Sequence, residues 1–217
     1  DRDFDYWLKK NNTFLPSAQS RWCTKNLKIK PFESWVKQFL DDGYNVYSYV
    51  AIRADEEYRS GYQSKKNNLI IKLPLKEAGI DKPGVHEILE NAGLGLPKYY
   101  EWRSRSGCTF CFFQRKIEWV GLKENHPEKF AYAKKLEKNA KDHDNPFTWM
   151  QRESLEELEQ PERIAKIKSN YEKQLETLRK KKVNKIKNNP FLKDEDVAVD
   201  DNIENDDVSS SCLICHK

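Results

Sequence analysis

The sequence lacks the features of a membrane-spanning protein and of a disulfide-rich secreted protein. It contains no run of about 18 apolar residues, so no membrane span is predicted. It has no charged-then-apolar leader. Its five cysteines are odd in number and form no dense disulfide framework. The composition therefore indicates a cytoplasmic protein whose thiols bind metal or react.

The sequence also has few glycines and a small net charge. The chain has eight glycines in 217 residues, and none of them belongs to a glycine-rich loop that could cradle phosphates. A net charge of +4 does not require a nucleic-acid partner. Hydrophobic residues make up 37% and charged residues 34%, which predicts that part of the chain lies outside any core. The chain opens on Asp1 instead of methionine, which predicts a fragment or a processed form.

What the sequence does contain is a Cys-x-x-Cys pair, Cys108 and Cys111, in the stretch RSRSGCTFCFFQRKIE. Two thiolates at this spacing can share a metal ion or an iron–sulfur cluster, or form a redox disulfide. Basic and aromatic side chains surround the pair. Gly107, directly before it, is expected to let the backbone approach a cofactor closely.

A third cysteine, Cys23, lies in the basic run RWCTKNLKIKP. Two interpretations of this run are open. Cys23 can be a small buried thiol in a basic surface segment. It can also be a ligand thiolate beside an anion site, because cations such as Lys28 and Lys30 attract phosphate or sulfate.

Arg53 and Arg59 follow a segment rich in β-branched and aromatic residues, 46–52, which is predicted to be a largely buried strand. Ligands of open α/β sheets bind at the carboxyl ends of strands, so both arginines are candidates for binding an anionic substrate. The alternative is that they pair with the acidic residues 55–57 in a solvated loop.

Short strands and helices are predicted along most of the remaining chain. The last predicted helix, 161–187, carries ten basic and two acidic residues over 163–187, a solvated face for which contact with a nucleic acid is a secondary possibility. The other predicted elements are a helical turn at 1–10, a helix at 31–43, a strand at 69–75, and helices at 83–95, 112–125 and 126–140.

The last part of the sequence is acidic, in contrast to the basic helix before it, and ends with two cysteines. Residues 194–207 contain eight acidic residues and no basic one, which predicts disorder. The chain ends in a second Cys-x-x-Cys, Cys212 and Cys215, followed by His216. On a flexible tether these thiols can complete a metal site or reach a site elsewhere.

Three separated blocks carry a family resemblance. They read RWCTKNLKIKPFESWV, AIRADEEYRSGY and YYEWRSRSGCTFCFFQRKIEWVGLKENHPEKF, and the resemblance covers about residues 1–160. The chain resembles the phosphoadenosine phosphosulfate reductase family, near its branch of DNA phosphorothioation sulfurtransferases. This resemblance implies an α/β fold, with a partial adenine nucleotide α-hydrolase-like sheet domain followed by a helical segment.

The resemblance also implies a [4Fe–4S] cluster. In the iron–sulfur members of the family, a Cys-Cys pair in the first block and a Cys-x-x-Cys in the last block bind the cluster. Cys23, Cys108 and Cys111 match three of these ligands, and Trp22 occupies the place of the fourth. A tail cysteine is a candidate for the fourth ligand. The competing arrangement is a tetrahedral zinc site built from the two Cys-x-x-Cys pairs.

The substrate and the reaction follow from the same resemblance. Lys28, Lys30, Arg53 and Arg59 match the basic residues that hold the phosphate and sulfate groups of an adenine nucleotide. The reductases carry a nucleophilic cysteine near a mobile C-terminus, followed closely by histidine. Cys212 and Cys215 resemble it loosely and are the candidate catalytic residues.

The family's phosphate loop, of the type Ser-Gly-Gly-x-Asp-Ser, is absent from the 217 residues. We therefore expect it upstream or in a partner chain. The predicted division is an α/β domain over 1–111, a helical segment over 112–190 and an acidic tail over 191–217.

The expected function is reduction of activated sulfate with a thiol electron donor, or ATP-dependent sulfur transfer to a small molecule or nucleic acid. The alternative is a non-catalytic, metal-stabilised subunit of a nucleic-acid-modifying or defence complex. An enzyme requires the phosphate loop to be supplied, whereas a non-catalytic subunit does not.

Overall fold

The structure is a computed structural model that describes residues 2–104, 106–141, 147–150 and 153–188. It divides into two compact units, the first ending at Tyr100 and the second beginning at Glu101. The sequence predicts this division after Cys111. In the structure the division lies before the Cys-x-x-Cys loop, which therefore belongs to the helical unit and not to the α/β unit. The predicted acidic tail, 191–217, lies outside the described residues.

The first unit is a mixed α/β unit. Helices are found where they are predicted at 31–43 and 83–95, but the first continues from the helical turns before it and the second ends at Asn91. The strand predicted at 69–75 ends at Lys72, and Pro74 begins a short helix. The elements are α1 (Phe4–Lys10), α2 (Trp22–Thr24), a π-helical turn (Lys25–Ile29), α3 (Lys30–Asp41), β1 (Val46–Tyr49), β2 (Leu69–Lys72), α4 (Pro74–Glu77), α5 (Lys82–Asn91) and a 3-10 turn (Lys98–Glu101).

Helix α3 supplies much of the core of this unit. Its apolar residues recur at helical spacing. The helix continues without a break from α2 and the π-helical turn, so Pro31 lies within a continuous helical segment, where it has no N–H to donate, and not at the helix start that the sequence predicts. Val36 and Leu40 are buried and cluster with Leu69 of β2. Gly43 follows the helix at φ +84°, a conformation that glycine adopts without strain, so the chain turns here toward β1.

The sheet consists of two parallel strands, paired from Val46–Leu69 to Tyr49–Lys72. Val46 packs against the α3 cluster, whereas Tyr47 and Tyr49 are 54% and 71% exposed. The prediction of a largely buried strand over 46–52 was therefore wrong. The strand ends at Tyr49 and only alternate side chains are covered, because the α3 cluster covers one face of this sheet and leaves the two tyrosines on the other.

The second unit is helical, as predicted for the segment after the cysteines. Helix α6 begins at Lys116 and not at Phe112, because a turn closed by the Gln114 amide on the Cys111 carbonyl (2.9 Å) precedes it. The helices are α6 (Lys116–Asn125), α7 (Pro127–Lys141), α8 (Leu155–Leu158) and α9 (Pro161–Asn188). Among the residues described, no helix is both long and apolar enough to cross a membrane.

Apolar side chains from all four helices form the core of the second unit. Trp119 on α6 is fully buried, and its ring lies near those of Phe130 (6.5 Å between ring centroids) and Trp149 (6.0 Å). The other buried apolar residues are Phe113, Val120, Leu122, Ala133, Leu136, Met150, Leu155, Leu158 and Ile167.

A buried carboxylate joins two parts of this core. Glu137 on α7 is 1% exposed. Its Oε1 accepts a hydrogen bond from the Trp149 amide (2.9 Å), and its Oε2 accepts one from the Leu155 amide (2.7 Å). Glu137 thereby satisfies one backbone donor in the segment before α8 and one at the first residue of α8. A buried amide without a partner is costly, so this carboxylate stabilises the connection between α7 and α8.

Replacing Glu137 with alanine removes the acceptor for both amides. We expect the free energy of unfolding to fall by about 2–6 kcal/mol, since each of the two unsatisfied buried donors costs about 1–3 kcal/mol. Urea unfolding followed by tryptophan fluorescence measures the change. Lys135→Ala, at an exposed position of the same helix, is the matched control and should shift the value by about 0.5 kcal/mol or less. A loss in Glu137→Ala no larger than in this control would contradict the structural role.

Candidate functional site: the Cys-x-x-Cys loop

The Cys-x-x-Cys loop is the connection between Trp102 and the start of α6. Its end is fixed by the turn from Cys111 to Gln114. Directly after that turn, the Arg115 amide donates to Oε2 of Glu118 (3.1 Å), which caps the first turn of α6. The second cysteine is therefore held a few residues before a helix start.

The first cysteine is held by a buried guanidinium. Arg103 is 9% exposed, and its Nη2 donates to the Cys108 carbonyl (3.1 Å) and to Oε1 of Gln114 (3.3 Å). A longer contact of 3.5 Å joins Nη1 to the Gly107 carbonyl. One arginine thus contacts the backbone on the N-terminal side of the loop and a side chain on its C-terminal side.

Gly107 leaves room for this arginine. A Cβ built at Gly107 would lie 3.0 Å from Nη2 of Arg103, a tight contact that the guanidinium would have to relieve by moving a few tenths of an ångström. The sequence predicts a close approach of the backbone to a cofactor at Gly107, and this stays a prediction. In the structure the group close to Gly107 is the guanidinium of Arg103, which a side chain at this position would crowd.

A polar network ties the loop to α6. Gln114 is buried, and its Nε2 donates to the Glu118 carbonyl (3.2 Å). The amide and the hydroxyl of Ser104 both donate to Oε1 of Glu118, at 3.1 and 2.9 Å. Because Ser104 follows Arg103, the Glu118 carboxylate also fixes the chain that carries the guanidinium.

The two cysteines differ in exposure, and the residues between them anchor the loop. Cys108 is exposed and Cys111 is half-buried. Phe110 packs against Tyr132 (5.6 Å between ring centroids) and Trp149 (5.3 Å) in the core of the second unit. Aromatic pairs of this kind contribute about 0.5–1.5 kcal/mol beyond the area they bury. The loop is thus held by polar contacts on one side and aromatic contacts on the other, with the Cys108 thiol accessible.

The charge behind the loop is positive and unpaired. Within the part of the chain that the structure describes, no carboxylate pairs with Arg103, and its buried Nε has no hydrogen-bond partner. A buried cation without a counter-charge is unfavourable unless an anion lies near it. The arrangement suits a loop that carries or binds a negative group, such as a thiolate.

The described residues do not themselves form a closed metal site. Among them, no group of three or more His, Cys, Asp or Glu side chains is arranged to hold an ion. Cys23 lies half-buried on α2 in the first unit, and Cys108 and Cys111 lie in the second unit. Cys212, Cys215 and His216 lie outside the described residues. Their predicted roles as fourth ligand or nucleophile stay predictions.

Arg53 and Arg59 lie where the sequence predicts, in the loop after the carboxyl end of β1. Arg53 donates to both oxygens of Asp55, from Nε and Nη2 at 2.9 Å each, and Arg59 pairs with Glu56. The hydrogen bond from Arg53 lowers the pKa of Asp55, and the same bond raises the pKa of Arg53. The predicted alternative of pairing with neighbouring carboxylates is thus what the structure contains, so an anionic ligand would have to displace these carboxylates.

Lys28 and Lys30 lie around the π-helical turn between α2 and α3. Both side chains are exposed, and Nζ of Lys30 lies 5.5 Å from the centroid of the Trp7 ring, a cation–π geometry. A π-helical turn is rare and occurs frequently at functional sites. Both cations are close in the chain to Cys23, and the predicted anion site at this turn stays a prediction.

Sequence reasoning missed Gln114 and Glu118. Glutamine directly after an aromatic pair gives no signal, because its role depends on Arg103, which lies eleven positions earlier. Glu118 carries a weak signal, since an acidic residue at the third position of a helix is typical of a capping box.

No protein-family model, curated protein or solved structure matches this chain. The family resemblance therefore rests on the three sequence blocks.

Gly121 on α6 allows the chain before the loop to approach the helix. A Cβ there would lie 2.8 Å from Cε3 of Trp102 and 3.2 Å from the Trp102 carbonyl oxygen. We expect Gly121→Ala to lower the free energy of unfolding by about 1–3 kcal/mol through overpacking. Helix propensity alone would raise it by about 1 kcal/mol. Urea unfolding decides between the two by the sign of the change, and stabilisation would contradict the close packing.

Proposed function

We propose that this chain is part of a thiol- and iron–sulfur-dependent enzyme of the phosphoadenosine phosphosulfate reductase family. Its reaction would be the reduction of activated sulfate or an ATP-dependent sulfur transfer. The observation that supports this most directly is Arg103, a buried cation with no carboxylate partner among the described residues, placed behind a Cys-x-x-Cys whose first cysteine is exposed. A purely structural thiol pair has no need of such a charge.

In this proposal the cysteines hold the cofactor and the basic residues hold the substrate. Cys23, Cys108 and Cys111 are the ligands. When bound, a [4Fe–4S] cluster supplies an iron centre whose potential follows the surrounding charge and hydrogen bonds. An adenine nucleotide would bind through its phosphate and sulfate groups to Lys28, Lys30, Arg53 and Arg59. We propose that the missing glycine-rich loop comes from a preceding segment or from a partner chain.

The tail thiols would carry the sulfur chemistry. For an activated sulfate, the thiolate of Cys212 or Cys215 attacks the sulfonate sulfur, and the bond from that sulfur to the nucleotide phosphate oxygen breaks. The phosphate leaves with the electron pair, and a cysteine S-sulfonate remains. A thiol donor then attacks the cysteine sulfur, which releases sulfite and forms a disulfide. The two electrons come from the thiol pair.

Iron and sulfide content tests the cofactor assignment. Purification without oxygen should give about four irons and four sulfides per chain with a broad visible absorption. Changing both tail cysteines to serine tests whether the tail supplies the fourth ligand, because iron content falls if either tail thiol binds the cluster. About one zinc per chain, with no visible absorption, would instead support a structural tetrahedral site and would contradict the cluster assignment.

The affinity of the chain for a small anion, compared between variants of Arg53 and Asp55, tests the anion site. Pyrophosphate is a suitable probe, since it carries the charge of the expected ligand without needing the nucleotide pocket. We expect Arg53→Ala to weaken its binding about tenfold, because a charge-assisted hydrogen bond is lost. Asp55→Asn should strengthen binding, because it releases the guanidinium.

The control for this test is Lys37→Ala, which removes an exposed cation paired with Asp41 on α3. It should leave the affinity unchanged. NMR titration detects binding even in the millimolar range. Equal affinity in Arg53→Ala, Asp55→Asn and the control would reject Arg53 as an anion-binding residue.

The second candidate is a non-catalytic, metal-stabilised subunit of a nucleic-acid-modifying or defence complex. Helix α9 favours it, because several of its cations are exposed, and none of the four named here pairs with a carboxylate among the described side chains: Lys166, Lys173, Arg179 and Lys181. Zinc in place of iron, together with salt-dependent DNA binding by α9, would move this candidate to first place.

A further inference from the structure

We infer that Arg103 is the positioning residue of the Cys-x-x-Cys site: its guanidinium fixes the shape of the loop so that Cys108 and Cys111 are presented together to one electrophilic metal centre. The inference deepens the proposed function and rests on it for the identity of that centre. Its structural part, the fixing of the loop by Arg103, stands on the hydrogen bonds alone.

The first step of the argument is the geometry. Nη2 of Arg103 contacts the Cys108 carbonyl and the Gln114 side chain, and Nη1 reaches toward Gly107. The guanidinium is planar and rigid, so groups bound at different nitrogens have their relative positions defined. A lysine ammonium lacks this fork and would contact fewer groups at once.

The second step is that the loop has few other backbone restraints before Cys111. No regular helix or strand covers 102–115 in the described residues. On the N-terminal side of the cysteines, the described loop carbonyls at Gly107 and Cys108 bond to Arg103. A short loop in irregular conformation is mobile unless side chains fix it, and Arg103 is the side chain that bonds to the loop backbone at the first thiol, whereas Phe110 anchors the loop after it.

The third step concerns the charge. Burying a guanidinium without a carboxylate partner among the described residues costs free energy, which its hydrogen bonds and its position over the Trp102 ring (5.3 Å from Cζ to the ring centroid) offset in part. The absence of a Cβ at Gly107 is a second adaptation to the same group, since an alanine would place its Cβ 3.0 Å from Nη2. Two positions are thus adjusted to keep a buried cation against the loop.

The test measures the order of the loop and metal content separately. Backbone 15N relaxation of the metal-free chain should give order parameters near about 0.85 for Gly107 and Cys108, falling to about 0.6 or less in Arg103→Lys. The remaining amides of α6 and α7 should not change. Iron and sulfide retained per chain after gel filtration should fall at least about tenfold in the same variant, as expected for the loss of charge-assisted hydrogen bonds.

Two further variants make the test decisive. Gly107→Ala keeps Arg103 but crowds its Nη2, so it should loosen the loop in the same way, and it remains informative if Arg103→Lys does not fold. Arg163→Lys is the matched control, because Arg163 also forms a two-pronged contact in this unit, but to Glu153. It should leave the relaxation of the loop and the iron content unchanged.

The outcomes separate the inference from the proposed function. If Arg103→Lys keeps the loop ordered and retains iron like the parent chain, the inference is overturned while the cluster assignment stands. If the parent chain binds no iron but its loop loosens in Arg103→Lys, the positioning role stands and the cluster assignment fails. General loosening of α6 and α7 in Arg103→Lys would show a structural role only and would also overturn the inference.

Discussion

The guanidinium of Arg103 is the constraint on which the candidate site depends. It is a buried cation that bonds to a backbone carbonyl of the thiol loop and to the Gln114 side chain, and it has no carboxylate partner in the described chain. Several neighbouring features follow from it: Gly107 leaves room for Nη2, Gln114 accepts a hydrogen bond, and Glu118 holds the adjacent Ser104. Because burying a cation costs free energy, such an arrangement is best explained by a negative group at the loop.

The two units use charge in opposite ways. In the first unit, Arg53 and Arg59 pair with neighbouring carboxylates, so the loop after β1 is neutralised internally. In the second unit, the cation behind the cysteines has no such partner among the side chains that the structure describes. A ligand of the first unit would have to compete with Asp55, whereas a ligand of the cysteine loop would meet a positive charge that none of those carboxylates neutralises.

The local sequence pattern was sufficient to predict where most of the helices and strands lie. Helix α9 was predicted over 161–187 and extends over Pro161–Asn188, because its apolar period is long and its start carries a proline. The strand near Val46 was also found, but its burial was mispredicted, since β propensity does not tell whether one face of a strand or both are covered. The site was predicted as residue types around the cysteines, and Gln114 was missed because its role depends on a hydrogen bond across the loop.

The sequence by itself determined which thiols and cations are available and where helices begin and end, because spacing, proline and glycine act within a few residues along the chain. Only the tertiary structure decided which cations are already neutralised and which are not. That outcome depends on which side chains meet after folding: Arg53 meets Asp55 at its own loop, while Arg103 is turned into the back of the cysteine loop. Pairing and burial are properties of the folded arrangement, so no local pattern could have distinguished these two arginines.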